Sequence, residues 1–218
     1  MRRPSPARVI RQLGIVSGIG VAGLGLLYAL VMAIGLIALP ASGAPIADPW
    51  FSAMEVLILL LVPFLLGLAA AVRGTGLGPR FTRLALPCMA AALALTAVMH
   101  LSTLMLGMDD AFGWPSLPYA LDILAWDGFF AVAVLLMAPV FHGGGEARTI
   151  RLLLIASGVL ALLGWLGPIT GVMGLRMIGV LGYAILFPLA AALIARWFRD
   201  RFPVAPRDAP FAPDPTAL

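Results

Sequence analysis

Five ionisable residues lie inside long apolar stretches of this sequence: Glu55, His100, Asp122, Asp127 and Arg176. An aspartate at the centre of a membrane helix costs about 2.5–3.5 kcal/mol on insertion scales, so such residues usually face protein and pair with one another. They also mark ligand sites and proton relays in membrane proteins. These five residues are therefore the first candidates for chemistry in this chain.

Asp127 and His100 are the residues that would best support proton chemistry, although His100 lies between Asp122 and Asp127 in depth and could pair with either. A carboxylate beside an imidazole exchanges protons near neutral pH, and such pairs recur in proton-coupled transporters. We therefore predict a polar pocket formed by the second, third, fourth and sixth apolar stretches, in which Asp127 and His100 exchange protons or bind a polar ligand. Trp126 joins the candidates because it lies four residues from Asp122 and shares its helical face.

A structural alternative stays open for all of these side chains. Interhelical hydrogen bonds can simply hold a membrane bundle together, at about 0.6 kcal/mol each on average. This alternative is strongest for Glu55 and Arg176, which fall near the predicted membrane interface, where Arg176 can extend its head outward. Asp122 and Asp127 are about 140° apart on an α-helix, so both can face protein only if their helix has neighbours on two sides.

Six apolar stretches must position these residues. The chain has 218 residues, of which 62% are hydrophobic and 11% charged, whereas soluble domains carry about 25% charged residues. Only helices satisfy their own backbone polar groups in lipid. We predict an all-α polytopic membrane protein, with a basic N-terminus at 1–11, a six-helix domain at 12–196 and a Pro-rich, disordered tail at 197–218. Its spans lie at roughly 12–39, 52–72, 84–106, 118–140, 152–170 and 175–196.

The distribution of arginine predicts the orientation of these spans. All 14 basic residues are arginines, and every one except Arg176 falls at the side of the membrane that holds both termini. The opposite side carries the acids Asp48, Asp109 and Asp110. Because basic loops stay in the cytoplasm, we predict cytoplasmic termini and a location in a bacterial inner (plasma) membrane.

The same residue counts exclude several kinds of site. The chain has no lysine to form a Schiff base, so we expect no retinal or pyridoxal cofactor. Its two histidines, His100 and His142, fall on opposite sides of the predicted membrane, so we expect no metal site. Arginines at helix ends, without a basic stripe that alternates with aromatics, argue against nucleic-acid binding. The expected partner is membrane lipid.

Small residues in the first span predict close helix packing. Gly14, Gly18, Ala22 and Gly25 fall on one helical face, which lets another helix approach closely. The partner is either a neighbouring span or a membrane partner, such as a second protomer. The small residues at 41–44 also leave open cleavage of the first span as a signal peptide, although its apolar run is longer than a signal core.

An internal repeat is a further prediction. The sequence Arg80-Phe-Thr-Arg83-Leu at the start of the third span resembles Arg148-Thr-Ile-Arg151-Leu at the start of the fifth. An acid also lies near the start of each preceding span, Glu55 in the second and Asp122 in the fourth. Spans two and three would then repeat as spans four and five.

The second half of the chain resembles small bacterial six-span membrane proteins of unknown function. The resemblance lies in the residues from Leu121-Asp-Ile-Leu-Ala-Trp-Asp127 to Pro139-Val-Phe141, and in Gly182-Tyr-Ala-Ile-Leu-Phe-Pro188. It implies a membrane fold and no particular activity.

From the residues we predict a small outward-facing module for ligand binding or proton-coupled transport, and not an enzyme. Two alternatives remain. One is an accessory subunit that packs with a partner, and the other is a lipid-modifying enzyme that uses Asp122, Asp127 or His100 as acid–base groups.

Overall fold

The fold is a bundle of six long helices. The computed structural model describes residues 5–39, 46–106 and 113–202, and these ranges contain helices and no strand. Each of the six helices is long and apolar enough to cross a membrane, which confirms the predicted all-α fold class. They are α1 (Pro6–Ile37), α2 (Trp50–Gly74), α3 (Pro79–Leu106), α4 (Leu117–Val140), α5 (Glu146–Thr170) and α6 (Met173–Asp200).

The helices extend further than the predicted spans at the end of the bundle that holds both termini. There α1, α3 and α5 begin about five or six residues before the predicted spans, and α6 continues to Asp200. The prediction counted residues in the hydrocarbon only, whereas turns that carry arginine stay helical and extend their charged heads to water. Residues 197–200 of the predicted tail are therefore helical. Residues 203–218 of the tail, for which disorder is predicted, and the possible cleavage site at 41–44 lie outside the described residues.

The six helices form a closed ring in which α4 is the most enclosed. Each helix packs on its neighbours in the chain, and α1 also packs on α6. Among the 18 most apolar consecutive residues of each helix, 61% are buried in α4 and 22% in α1. The fourth helix thus has protein on two sides, as burial of both its carboxylates requires. The largest fully buried side chains include Phe130, Phe187, Phe198, Leu68 and Met89.

The predicted small-residue face of α1 packs against α6 of the same chain. A β-carbon on Gly18 would lie 2.7 Å from the Ala191 carbonyl oxygen, so this contact requires glycine. The facing pairs are Gly14 with Phe198, Gly18 with Ala191 and Ala195, and Gly25 with Pro188. Ala22 is only half-buried. A partner protein that binds α1 would have to use another face, and such a partner stays a prediction.

Two helices contain wide π turns at the level of the predicted site. In α4, residues Leu124–Phe130 form a π-helix between two α-helical segments. In α6, residues Gly182–Leu186 do the same. A π turn bonds residues five apart instead of four, and such turns occur frequently at functional sites. The first of them contains both Asp127 and Trp126.

Candidate functional site: a buried ionic network

His100 joins two carboxyl groups inside the bundle. Its Nδ1 atom lies 2.7 Å from Oε2 of Glu55 on α2, and its Nε2 atom lies 3.2 Å from Oδ1 of Asp122 on α4. A neutral imidazole has only one N–H, so it can donate to only one of these oxygens. For both contacts to be hydrogen bonds, either the imidazole or one of the two carboxyl groups must carry an additional proton.

Arg176 extends this arrangement to a fifth residue. Its Nη2 atom donates to Oδ2 of Asp122 at 2.7 Å, and its Nε atom donates to Oδ2 of Asp127 at 3.2 Å. The result is a linear order of alternating acids and bases. We call it the ionic network, and its members are Glu55, His100, Asp122, Arg176 and Asp127.

The ionic network is buried and lies closer to the end of the bundle opposite both termini. Its members are between 0% and 8% exposed, with Asp127 the least and Arg176 the most accessible. Glu55 and Asp122 lie just inside the starts of α2 and α4, and His100 lies just before the end of α3. Because successive helices run in opposite directions, these three positions share one depth.

Asp127 sits in a pocket that two glycines create. A β-carbon on Gly164 of α5 would lie 2.7 Å from its Cγ atom, and one on Gly179 of α6 would lie 2.8 Å from its Oδ1 atom. The Oδ1 atom has no hydrogen-bond partner among the described residues. The backbone carbonyl of Asp127 accepts a hydrogen bond from Nε1 of Trp165 at 2.9 Å. Asp127 is thus fixed on its backbone side, while one carboxyl oxygen is buried without a partner.

Tyr119 covers Arg176. The guanidinium carbon lies 4.7 Å from the centre of the Tyr119 ring, within the range of a cation–π contact. Tyr119 belongs to the first turn of α4, and Arg176 ends the short 3-10 segment Met173–Arg176 that begins α6. The ring therefore lies over the cation at the end of the bundle where the α3–α4 and α5–α6 connections are.

Trp126 lies beside the network and not within it. Its ring packs 5.1 Å from that of Phe130 and 5.2 Å from that of Tyr183, centre to centre. Its Nε1 atom has no partner among the described residues. Trp126, Tyr28 and Tyr183 line a cavity of about 20 Å³, which is room for about one water molecule. The candidate therefore contributes to the aromatic surroundings of the network.

The structure decides two points of the predicted site that the sequence left open. Of the two aspartates with which His100 could pair, the structure brings Asp122 to it, and Glu55 contacts its other ring nitrogen. Arg176 could have extended outward, but it points into the bundle, where it contacts two carboxylates and an aromatic ring. Glu55 and Arg176, for which a purely structural role was the stronger expectation, are both members of the network.

The π turn explains a difference from the predicted geometry of the fourth span. Asp122 and Asp127 were placed about 140° apart on a regular α-helix, yet both contact Arg176. The wider π turn at Leu124–Phe130 brings residues five apart closer to alignment. Nothing in the apolar sequence of this segment marks a π turn.

Sequence reasoning missed Tyr119, Trp165, Gly164 and Gly179. The two glycines belong to a glycine-rich apolar sequence, in which many other positions could equally be sites of close helix packing. Tyr119 lies where aromatic residues of the outer membrane interface are ordinarily found, so its position did not suggest a site residue. The only indications would have been that Asp127 needs space beside its carboxyl group and that Arg176 needs an aromatic ring over its guanidinium. Both could be used only once the pairing of Asp127 with Arg176 was known.

Comparisons with known proteins leave the family of this chain open. No family model matches it, and no curated protein or solved structure matches it significantly. The resemblance to small bacterial six-span proteins therefore stays a prediction. Within residues 5–39, 46–106 and 113–202, no group of three or more His, Cys, Asp or Glu side chains is placed to hold a metal ion.

Proposed function

We propose that this chain is a small integral membrane module that binds or transports a ligand in exchange for protons, through the ionic network. One observation carries the proposal. The network contains three carboxyl groups, one guanidinium and one imidazole, all buried among membrane-spanning helices. With a neutral imidazole and no protonated carboxyl group, its formal charge is −2, because three negative groups face one positive group.

Two protons neutralise this charge, and the geometry supports a place for each. One belongs to the group formed by Glu55, His100 and Asp122, since both ring nitrogens contact carboxyl oxygens. The other belongs to Asp127, whose Oδ1 atom is buried without a partner and whose single ion-pair contact, to Arg176, is 3.2 Å long. An uncompensated buried charge costs several kcal/mol, so proton uptake is the natural response.

The proposed ligand approaches from the side opposite the termini. The network lies closer to that end of the bundle, where the Tyr119 ring lies against the guanidinium of Arg176. We place both termini in the cytoplasm and the protein in a bacterial inner membrane, which makes the site outward-facing. The arginines at the terminal end support this orientation.

The two other functions have weaker support from the contacts. The small-residue face that suggested an accessory subunit is occupied by α6 of the same chain. A lipid-modifying enzyme would use Asp122, Asp127 or His100 as an acid–base group, but these side chains are 6%, 0% and 4% exposed and do not lie at the lipid-facing surface.

Proton-coupled flux tests the proposal directly. Protein is reconstituted into liposomes that contain a pH-sensitive dye, and a broad panel of sugars, amines, amino acids and organic acids is added outside. We expect at least one solute to move protons with the wild type and to fail with Asp127→Asn and His100→Gln. Asp48→Asn is the matched control, because Asp48 is an exposed carboxylate of the α1–α2 connection.

Two results of the flux measurement would contradict the proposal. If no solute class changes the internal pH, or if Asp127→Asn moves as many protons as the wild type, the network does not couple a ligand to protons. Infrared spectroscopy then provides a second measurement. A band from a protonated carboxyl group that disappears in Asp127→Asn is expected, and its absence at every pH would remove the second proton from the proposal.

A further inference from the structure

A second charged feature lies at the opposite end of the bundle. The repeated Arg-x-x-Arg-Leu sequence places Arg80 and Arg83 in the first turns of α3, and Arg148 and Arg151 in the first turns of α5. We call these four residues the arginine surface. Both α3 and α5 pack on α4, so the two pairs flank the end of α4 near Val140. The ionic network does not use them.

The arginine surface has no acid to pair with in the described part of the chain. The described acids at this end are Glu146 and Asp200, and both are engaged by other arginines. Glu146 lies 3.2 Å from Arg196 and 3.6 Å from Arg201, and Asp200 lies 2.9 Å from Arg199. The four side chains of the arginine surface form no ion pair within residues 5–39, 46–106 and 113–202.

Exposed apolar side chains lie directly beside these arginines. Phe81 and Leu84 on α3 are 44% and 59% exposed, and Leu152 on α5 is 52% exposed. Arg80, Arg83 and Arg148 are also exposed, and Arg151 is half-buried. Each arginine pair thus stands next to an apolar side chain on the outside of a membrane-spanning helix.

We propose that the arginine surface binds anionic phospholipid. A phosphate group would accept hydrogen bonds from the guanidinium groups of a pair, while the acyl chains lie over Phe81 and Leu84 or over Leu152. Only a partner that joins an anion to hydrocarbon satisfies both parts of this surface. A soluble phosphate would use the arginines and leave the apolar side chains unmatched. This inference does not depend on the proposed proton coupling.

The amount of each lipid that the purified protein retains tests the proposal. Protein purified in detergent is given phosphatidylglycerol or phosphatidylcholine, and the bound lipids are counted by native mass spectrometry. The wild type should retain phosphatidylglycerol in preference. The variants are R80Q/R83Q and R148Q/R151Q, and each removed arginine should weaken phosphatidylglycerol binding about fivefold. Phosphatidylcholine binding should not change.

The control removes the same charge from another place. R196Q/R201Q takes two arginines that Glu146 already engages, so the preference for phosphatidylglycerol should stay near that of the wild type. If this variant and R80Q/R83Q lose equal amounts of phosphatidylglycerol binding, net charge alone explains the effect and the proposal is overturned. Equal retention of both lipids by the wild type would overturn it too. Displacement of the lipid by millimolar inorganic phosphate would assign the surface to a soluble anion instead.

Discussion

The Nη2 atom of Arg176 lies 2.7 Å from Oδ2 of Asp122 in the interior of the bundle. This ion pair connects residues 54 positions apart and joins α6 to α4. It also connects the two parts of the ionic network, because the other carboxyl oxygen of Asp122, Oδ1, contacts Nε2 of His100. Among the five members, Arg176 alone is a permanent cation.

The first prediction concerns this cation. Arg176→Gln leaves Asp122 and Asp127 without their guanidinium, and breaking a buried pair from one side costs about 3–5 kcal/mol. We expect a loss of that size in the free energy of unfolding at neutral pH, measured by detergent titration with circular dichroism. Arg196→Gln, at a residue whose side chain is 62% exposed, should cost less than about 1 kcal/mol. Equal losses in the two variants would contradict the buried pairing.

The second prediction separates the two aspartates of α4. Asp127→Asn keeps the shape of a carboxyl group whose Oδ1 atom has no described partner, so we expect stability equal to or above that of the wild type. Asp122→Asn replaces an oxygen with a donor between His100 and Arg176, and should cost about 3 kcal/mol. Thermal unfolding in detergent between about pH 5 and 8 measures both. A large loss in Asp127→Asn instead would make Asp127 a charged structural partner.

Most of the fold was predictable because the physical signal is strong and local. A stretch of about 20 apolar residues has few stable alternatives to a membrane helix. The glycine spacing in α1 also predicted close approach by another helix, which α6 provides. The helix ends were not predictable from hydropathy, because arginine-bearing turns continue the helix beyond the hydrocarbon.

The third prediction concerns the pocket around Asp127. Gly164→Ala and Gly179→Ala would each place a methyl group within 2.8 Å of the carboxyl group. Overpacking of this kind costs about 1–3 kcal/mol and should lower the melting temperature of both variants. Gly23→Ala is the matched control, because a β-carbon there meets no atom within 4 Å. We expect it to be neutral or stabilising, by up to about 1 kcal/mol. Two tolerated alanines at positions 164 and 179 would show that the pocket is loose.

The fourth prediction tests the cover on Arg176. Tyr119→Ala removes the ring 4.7 Å from the guanidinium and should cost about 0.5–2 kcal/mol. It should also speed hydrogen–deuterium exchange of the network carboxyl groups, followed by infrared spectroscopy. Tyr119→Phe keeps the ring and should exchange more slowly than Tyr119→Ala. Leu117→Ala, at a residue that is 71% exposed, is the control at the same helix end. Unchanged exchange in Tyr119→Ala would rule out a covering role.

The site was predictable only in part, because the candidates were visible and their pairing was not. Burial cost identified all five ionisable residues from sequence. Which carboxylate meets His100 depends on how α2, α3 and α4 face one another, and an apolar sequence leaves that open. The π turn then changed which residues of α4 share a side, so Asp122 and Asp127 both reach Arg176.

The contact between α1 and α6 has a consequence for biogenesis. Arg11 of α1 donates from Nε to the carbonyl oxygen of Phe198 at 3.1 Å, near the end of α6, and the glycine face of α1 packs along the same helix. Chains are synthesised from the N-terminus, so α1 must wait in the bilayer until α6 follows. The same late helix delivers Arg176 to Asp122 and Asp127. Insertion of α6 therefore closes the ring and brings the guanidinium to Asp122 and Asp127 in one step, so we expect these two carboxylates to stay uncompensated until α6 is in place.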